Sequence, residues 1–192
     1  ATSFSMAQQF IANLPGGANT QLNQVVLQAP GVTQDGFGQL HVRGDHGNIQ
    51  FRLNNVILPE GLSVFGQTLS PRLASNIELI TGALPAQYGL RTAGILNITT
   101  KSGLRPGGEA GLYGGSHGVL TPSVEYGGAW GASSGFVSAS FTDTRLGVES
   151  PDGRSDPLHD RSRQGQLFLY GDHILDPTSR LSVIAGVSDQ TF

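Results

Sequence analysis

Pro30-Gly31-Val32, Val42-Arg43-Gly44, Phe51-Arg52-Leu53-Asn54-Asn55-Val56, Ile77-Glu78-Leu79-Ile80-Thr81-Gly82, Gln87-Tyr88-Gly89 and Ala93-Gly94-Ile95-Leu96-Asn97-Ile98-Thr99-Thr100-Lys101 follow one another in that order. Each segment alone is ordinary. Their succession within about 75 residues decides the fold, because helix stops, short strands and glycine turns alternate as a small α/β globule requires. Thr20 onward reads as a helix over residues 20–27, with Leu22, Val25 and Val26 on one face and Pro30-Gly31 ending it. Residues 39–43 and 49–53 alternate as strands, with residues 45–48 as the turn between them. Residues 71–74 read as a helical turn, and residues 78–80 and 95–100 as further strands, the last one β-branched and buried. Residues 1–10 look like a strand or the start of a weak amphipathic helix.

Beyond Lys101 and a linker over residues 102–107, only strands and turns remain. Residues 123–130 place Val124, Tyr126, Gly128 and Trp130 on one face, against Ser123, Glu125 and Gly127. Residues 136–143 gather Val137, Ala139 and Phe141 against Ser138, Ser140 and Thr142. Residues 165–175 align Leu167, Leu169 and Leu175 against Gln164, Gln166 and Asp172, and residues 180–188 align Leu181, Val183, Ala185 and Val187. Strands of about ten residues with one apolar face suit a lipid-facing barrel wall, and equally a soluble meander. The connections alternate in length: residues 131–135 and 176–179 are tight, while residues 145–161 are long and polar. Barrels alternate in that way between periplasmic turns and extracellular loops.

Composition narrows the classes. Charged residues are 13% of the 192, about half the usual ~25%, and 28 glycines are roughly twice the usual share. So few charges argue against disorder, and no stretch approaches the ~18 apolar residues of a spanning helix. The net charge of −3 comes without any basic run, so nucleic acid is not an expected partner. With no cysteine, disulfides, thiolate catalysis and Cys-based zinc sites are excluded. No signal peptide is visible at Ala1, which for an exported protein implies a mature or truncated chain.

The ordered segments together resemble the plug domain of the TonB-dependent outer-membrane receptors, the globule that stoppers a transport barrel. The resemblance implies an α/β plug over residues 1–103 and the opening antiparallel strands of a truncated transmembrane β-barrel over residues 104–192. It further implies a plug motif at Pro30, Gly31, Val32, Gly82, Tyr88, Gly89, Asn97 and Lys101. Arg43 and Gly44 match the family's Arg-Gly dipeptide at the plug–barrel wall, where a guanidinium can fork onto carboxylates. Glu78 matches the acidic residue of the central strand and offers an internal partner for an arginine; ordinary half-buried ion pairing is the alternative for both. After the Ile-Glu-Leu-Ile strand the family has Arg-Gly-Pro, whereas this chain has Thr81-Gly82-Ala83. Arg91 is the candidate replacement for that second locking arginine. By motif position the ligand-facing apical loops hold Asp45, His46, Asn48 and Gln50, with Phe65 and Gln67 in the next loop; simple turn residues are the alternative for each.

What the resemblance implies about activity is energy-coupled import, not catalysis. A scarce nutrient, most often a ferric siderophore and otherwise cobalamin, haem, a nickel complex or a sugar, is captured as a small-molecule ligand at the outer membrane of a Gram-negative bacterium. TonB, with its inner-membrane energising complex, then rearranges the plug, and outer-membrane lipid surrounds the wall. No cofactor and no metal are expected. The family's coupling segment is not visible and is expected upstream, and five or so strands cannot close the roughly 22-stranded barrel that holds such a plug. The alternative is a soluble secreted β-rich binding or adhesion module.

Other patterns carry little. Gly131-Ala132-Ser133-Ser134-Gly135 satisfies G-x-S-x-G but joins two strands, where the hydrolase elbow joins strand to helix. His41, His46, His117, His159 and His173 lack the spacing of a metal helix. Glu149, Asp152, Asp156 and Asp160 lack the alternation of a calcium loop and read as a solvated acidic face. Arg43-Gly44-Asp45 spells an integrin-binding tripeptide of the sort that arises by chance.

Overall fold

The computed structural model describes residues 1–36, 38–46, 48–59, 69–89, 93–145 and 161–191. The chain divides into two compact units, Ala1–Thr100 and Lys101–Phe192.

In the first unit the decisive element is β8, Gly94–Thr100, whose Ile95, Leu96 and Ile98 are all buried. Successive strand residues face opposite ways, so burial of both Ile95 and Leu96 requires cover on both faces, the position of a central strand. Accordingly β7 (Ala74–Thr81) pairs with β8 antiparallel, and β5 (Ile49–Leu53) pairs with it parallel on the other side. The sheet is completed by β1 (Thr2–Ala7) beside β7 and β6 (Val56–Ile57) beside β5. Met6, Ile77, Leu79, Ile95, Leu96 and Ile98 form its core, each worth about 1.5–3 kcal/mol when fully buried.

Two short helices pack nearby, α1 (Gln8–Ala12) and α2 (Leu22–Val26). Leu22, Val25 and Val26 are buried, as their i, i+3, i+4 spacing predicts. The expected helix over residues 20–27 is trimmed at its start because Thr20 and Gln21 are extended, between a 3-10 turn at residues 17–19 and α2. Residues 1–10 contain a strand and then a helix, both alternatives realised in sequence. A 3-10 turn at Pro71–Leu73 occupies the expected helical turn, capped by the Ser70 hydroxyl accepting from the Arg72 N–H.

One connection differs from expectation. The strands at 39–43 and 49–53 were expected to form a hairpin turning at 45–48. Instead β2 (Val32–Gln34), β3 (Leu40–Val42) and β4 (Asp45–His46) make a separate sheet, and β5 belongs to the larger one. The physical reason is Arg43-Gly44: both have positive φ, 53° and 82°, so the chain reverses there and Val42 pairs with Asp45.

The second unit is one antiparallel meander, β9 (Gly107–Gly114), β10 (Leu120–Trp130), β11 (Ser133–Thr144), β12 (Ser162–Asp176) and β13 (Ser179–Thr191). Four of these strands are legible in the sequence and prove longer than expected; glycine-rich β9, which begins at the last residue of the expected linker, is not among the expected strands. The G-x-S-x-G stretch is a tight turn, with Gly131 at φ 58° and both serines already in β11. The register aligns Val124, Ala139, Leu167 and Val187 in one row, and Tyr126, Val137, Leu169 and Ala185 in the next. This face is open: Val124 is 52% exposed and Val187 69%. The opposite face carries buried Thr121, Ser123, Ser134 and Ser138 around the Phe136–Phe168 ring pair. Over β10 and β11 the sheet thus exposes apolar side chains on one face and buries hydroxyls beside Phe136 on the other.

The chain enters this unit along its hydroxyl face. A Cβ on Gly103 would overlap the carbonyl oxygens of Gly128 and Gly135. Gly103→Ala should therefore lift residues 102–106 off the strands, and overpacking of this kind costs about 1–3 kcal/mol. Limited proteolysis of the intact protein should then nick this linker several-fold faster. Gly36→Ala, where a Cβ meets nothing within 4 Å, should leave the rate unchanged.

Candidate functional site

Three separate motif segments converge on Arg43. Its backbone N–H donates to the Gly31 carbonyl at 2.7 Å, its Cγ lies 3.5 Å from where a Gly31 Cβ would be, and its Nη1 lies 3.7 Å from the corresponding point at Gly82. Gly31 and Gly82 both have positive φ, 78° and 89°. Absent side chains at these turns leave a channel along which the exposed arginine extends. Positive φ at Arg43 itself stores about 1 kcal/mol or more, and such strain concentrates at working positions. Pro30 is exposed beside this turn and Val32 is buried at the head of β2. Glu78 lies on β7 opposite Ser5 and Asn97. No hydrogen bond or ion pair joins Arg43 to Glu78 among the described residues. Arg91, Phe65 and Gln67 lie outside the described residues.

A second cluster forms around β5. The Arg52 Nε donates to the Gln50 Oε1 at 2.7 Å, and its guanidinium stands 4.8 Å from the centre of the Tyr88 ring. Such stacking contributes about 0.5–2 kcal/mol and ties the turn at Ala86–Tyr88 to the sheet. Gly89 follows with φ 59°. Gln50 corrects an expectation: it is a strand residue, 7% exposed, with its side-chain oxygen engaged by Arg52, so it is not a loop contact. Asp45 is exposed at the start of β4 and Asn48 half-buried just before β5, while only the backbone of His46 is described.

Asn97 serves structure. Its Oδ1 accepts from the Asn55 N–H at 3.3 Å, while Asn54 grips β8 from the same turn. The Asn54 Nδ2 donates to the Thr100 Oγ1 at 2.8 Å, and the Thr100 N–H donates to the Asn54 Oδ1 at 2.9 Å. Asn54 and Asn55 have φ of 49° and 68°, values that asparagine tolerates better than most residues. Among the described residues of this unit, Arg72 is a buried arginine, 5% exposed, whose Nη2 donates to the Asn19 Oδ1 at 2.9 Å. Sequence reading passed it over; Ser-Pro-Arg reads only as the start of a helical turn.

Lys101 belongs to the second unit. Its Nζ donates to the Glu125 Oε1 at 2.6 Å, the side chains being 16% and 11% exposed, and stands 5.9 Å from the Phe136 ring centre. The Glu125 Oε2 is buried without a hydrogen-bond partner among the described residues. Among the described residues no group of three or more His, Cys, Asp or Glu side chains could hold a metal ion.

No protein-family model matches this sequence, and no curated protein matches it. Solved structures do. The chain aligns over 98% of its length with the siderophore receptor PirA of Pseudomonas aeruginosa, at 22% identity and TM-score 0.67, covering 35% of that chain. It likewise aligns over 98% of its length with the pyoverdine outer-membrane receptor FpvA of Pseudomonas aeruginosa (18% identity, TM-score 0.76, 27% of that chain). For the ferric-catecholate import receptor Fiu of E. coli the figures are 98%, 17% identity, TM-score 0.78 and 27% of that chain. The chain has the fold of an outer-membrane siderophore receptor's plug and opening barrel strands. It spans roughly a quarter to a third of the length of these receptors.

The Lys101–Glu125 pair gives a direct test of this linker seat. Removing one partner of a buried pair leaves a stranded charge and costs about 3–5 kcal/mol, whereas replacing both with apolar groups is near neutral. Lys101→Met should lower the thermal unfolding midpoint of the intact protein, and the double variant Lys101→Met/Glu125→Leu should recover most of the loss.

Proposed function

We propose that this chain is the plug and first wall strands of a TonB-dependent receptor that imports a scarce nutrient across the outer membrane of a Gram-negative bacterium. A ferric siderophore is the ligand class proposed, by analogy with the receptors of the same fold. The observation that carries the reading is the open apolar face of β10–β13 following directly on a separate α/β unit. Leu167, Leu169, Val183 and Val187 are all exposed on one face. In water such a face drives aggregation, while in lipid it is the required surface. This disfavours the soluble secreted module.

In this reading the receptor performs no chemistry on its cargo. Ligand binds above the plug, where Asp45, His46, Asn48, Phe65 and Gln67 are proposed contacts. TonB, energised from the inner membrane, then draws the plug from its seat. Arg43 with Gly44, Glu78 and Arg91 form the proposed lock. The support for Arg43 is its placement: a strained, exposed guanidinium held by two glycine turns is preorganised to fork onto a carboxylate.

Two outcomes are expected in cells expressing the intact receptor. Uptake of radio-iron as its siderophore should fall to background when TonB is deleted; import that persists without TonB would overturn the transport reading. Arg43→Ala should change uptake at least about fivefold, with surface expression unaltered. Unchanged uptake would remove the locking role from Arg43 alone.

A further inference from the structure

The open face of the second unit ends in charge. Across the sheet its rows run from Trp130, Ser133, His173 and Leu181 at one end, through the two apolar rows already described, to Phe141, Gly165 and Asp189. From Gly165 to His173 is eight residues of β12, about 27 Å at ~3.4 Å per residue. At a tilt of ~40° this spans roughly 21 Å, close to the height of a barrel's apolar band. The next row past Phe141 pairs Asp143 with Arg163, so it stands at the level of lipid headgroups.

There the arginines gather on the lipid side. The Arg161 Nε donates to the Asp143 Oδ1 at 3.0 Å and its Nη2 to the Asp143 Oδ2 at 2.6 Å. The Arg163 Nε lies 3.9 Å from the same Oδ2. Arg145, two residues past Asp143, lays its Cδ 3.7 Å from the Cβ point of Gly118. Among the described residues of this edge, the three guanidinium groups stand beside the carboxylates of Asp143 and Asp189. Arg161 and Arg163 are 47% and 52% exposed, so donors beyond those spent on Asp143 face outward.

We propose that Arg161, Arg163 and Arg145 form a site for a phosphate of a membrane-lipid headgroup, with Asp143 as the positioning residue. This rests on the membrane reading above. Guanidinium forks match phosphate oxygens geometrically, and an adjoining apolar wall accepts the same lipid's acyl chains. That joint requirement selects a lipid over a free anion: Phe141 and Leu167 lie on the same face, immediately below the arginines. Among the described residues the opposite edge, capped by Trp130, has no such cluster; its indole suits the interface without anion recognition.

The test uses the intact receptor purified in mild detergent, titrated with diphosphorylated lipid A and read by native mass spectrometry. Wild type should retain the lipid, and Arg161→Gln/Arg163→Gln should weaken retention about tenfold or more. Lipid A stripped of both phosphates should bind wild type no better than the variant binds the phosphorylated form. Equal retention by wild type and variant overturns the proposal, as does retention that survives phosphate removal. Inorganic phosphate that displaces the lipid at equal concentration would reassign the site to a soluble anion and overturn it too. Heat-modifiable migration on gels checks that the variant barrel is folded; if it is not, Arg163→Gln alone is scored by the same criteria. Failure of the wild type to retain the lipid, with TonB-dependent import intact, defeats this inference and leaves the receptor reading standing.

Discussion

Burial of both faces of β8 is the constraint from which the first unit follows. A strand with Ile95, Leu96 and Ile98 all sealed from water must have neighbours on both edges and cover on both sides. Its antiparallel partner β7 supplies one edge. The parallel partner β5 supplies the other, and parallel pairing demands a long crossover, which residues 54–93 provide. The Asn54-Asn55 turn then fastens this crossover's beginning onto the end of β8 through Thr100 and Asn97. The glycine turns and the Arg43 channel are consequences of bringing the remaining segments around that strand.

The second unit obeys the opposite rule. Over β10 and β11 hydroxyls are buried on one face, while the apolar face of the sheet is open, an arrangement that is costly in water and favourable in hydrocarbon. Gly103 and Gly127 let the entering chain lie against the strand backbone. The Lys101–Glu125 pair is placed where that entry begins, with both side chains largely buried. The linker is thus seated on the wall side of the division at Thr100.

Much of the fold was readable. Four of the five meander strands, their faces, and both tight turns follow from period-two alternation, which reports the local backbone directly. β9 was missed because Gly107-Gly108 and Gly111 carry no side chain with which to signal a face. The supposed hairpin between residues 39–43 and 49–53 failed for another reason. Both strands were correct, but sheet membership is a non-local choice, and nothing in the residues announced that Arg43 would adopt positive φ. Of the candidate site, the glycines and Tyr88 were legible as motif members. The roles of Gln50, Arg52 and Arg72 were not, because each depends on a partner brought in from a different segment or turned inward by the strand.

Sequence by itself determined which segments are strands, where the chain must turn, and that the second half has one greasy face per strand; these depend on neighbours a few residues apart. Tertiary structure alone decided that β5 runs parallel to β8, that the greasy faces line up in a single open band, and that Arg43, Gly31 and Gly82 meet. Contacts between distant segments are settled by packing and register, and a linear pattern does not encode which of several compatible partners arrives.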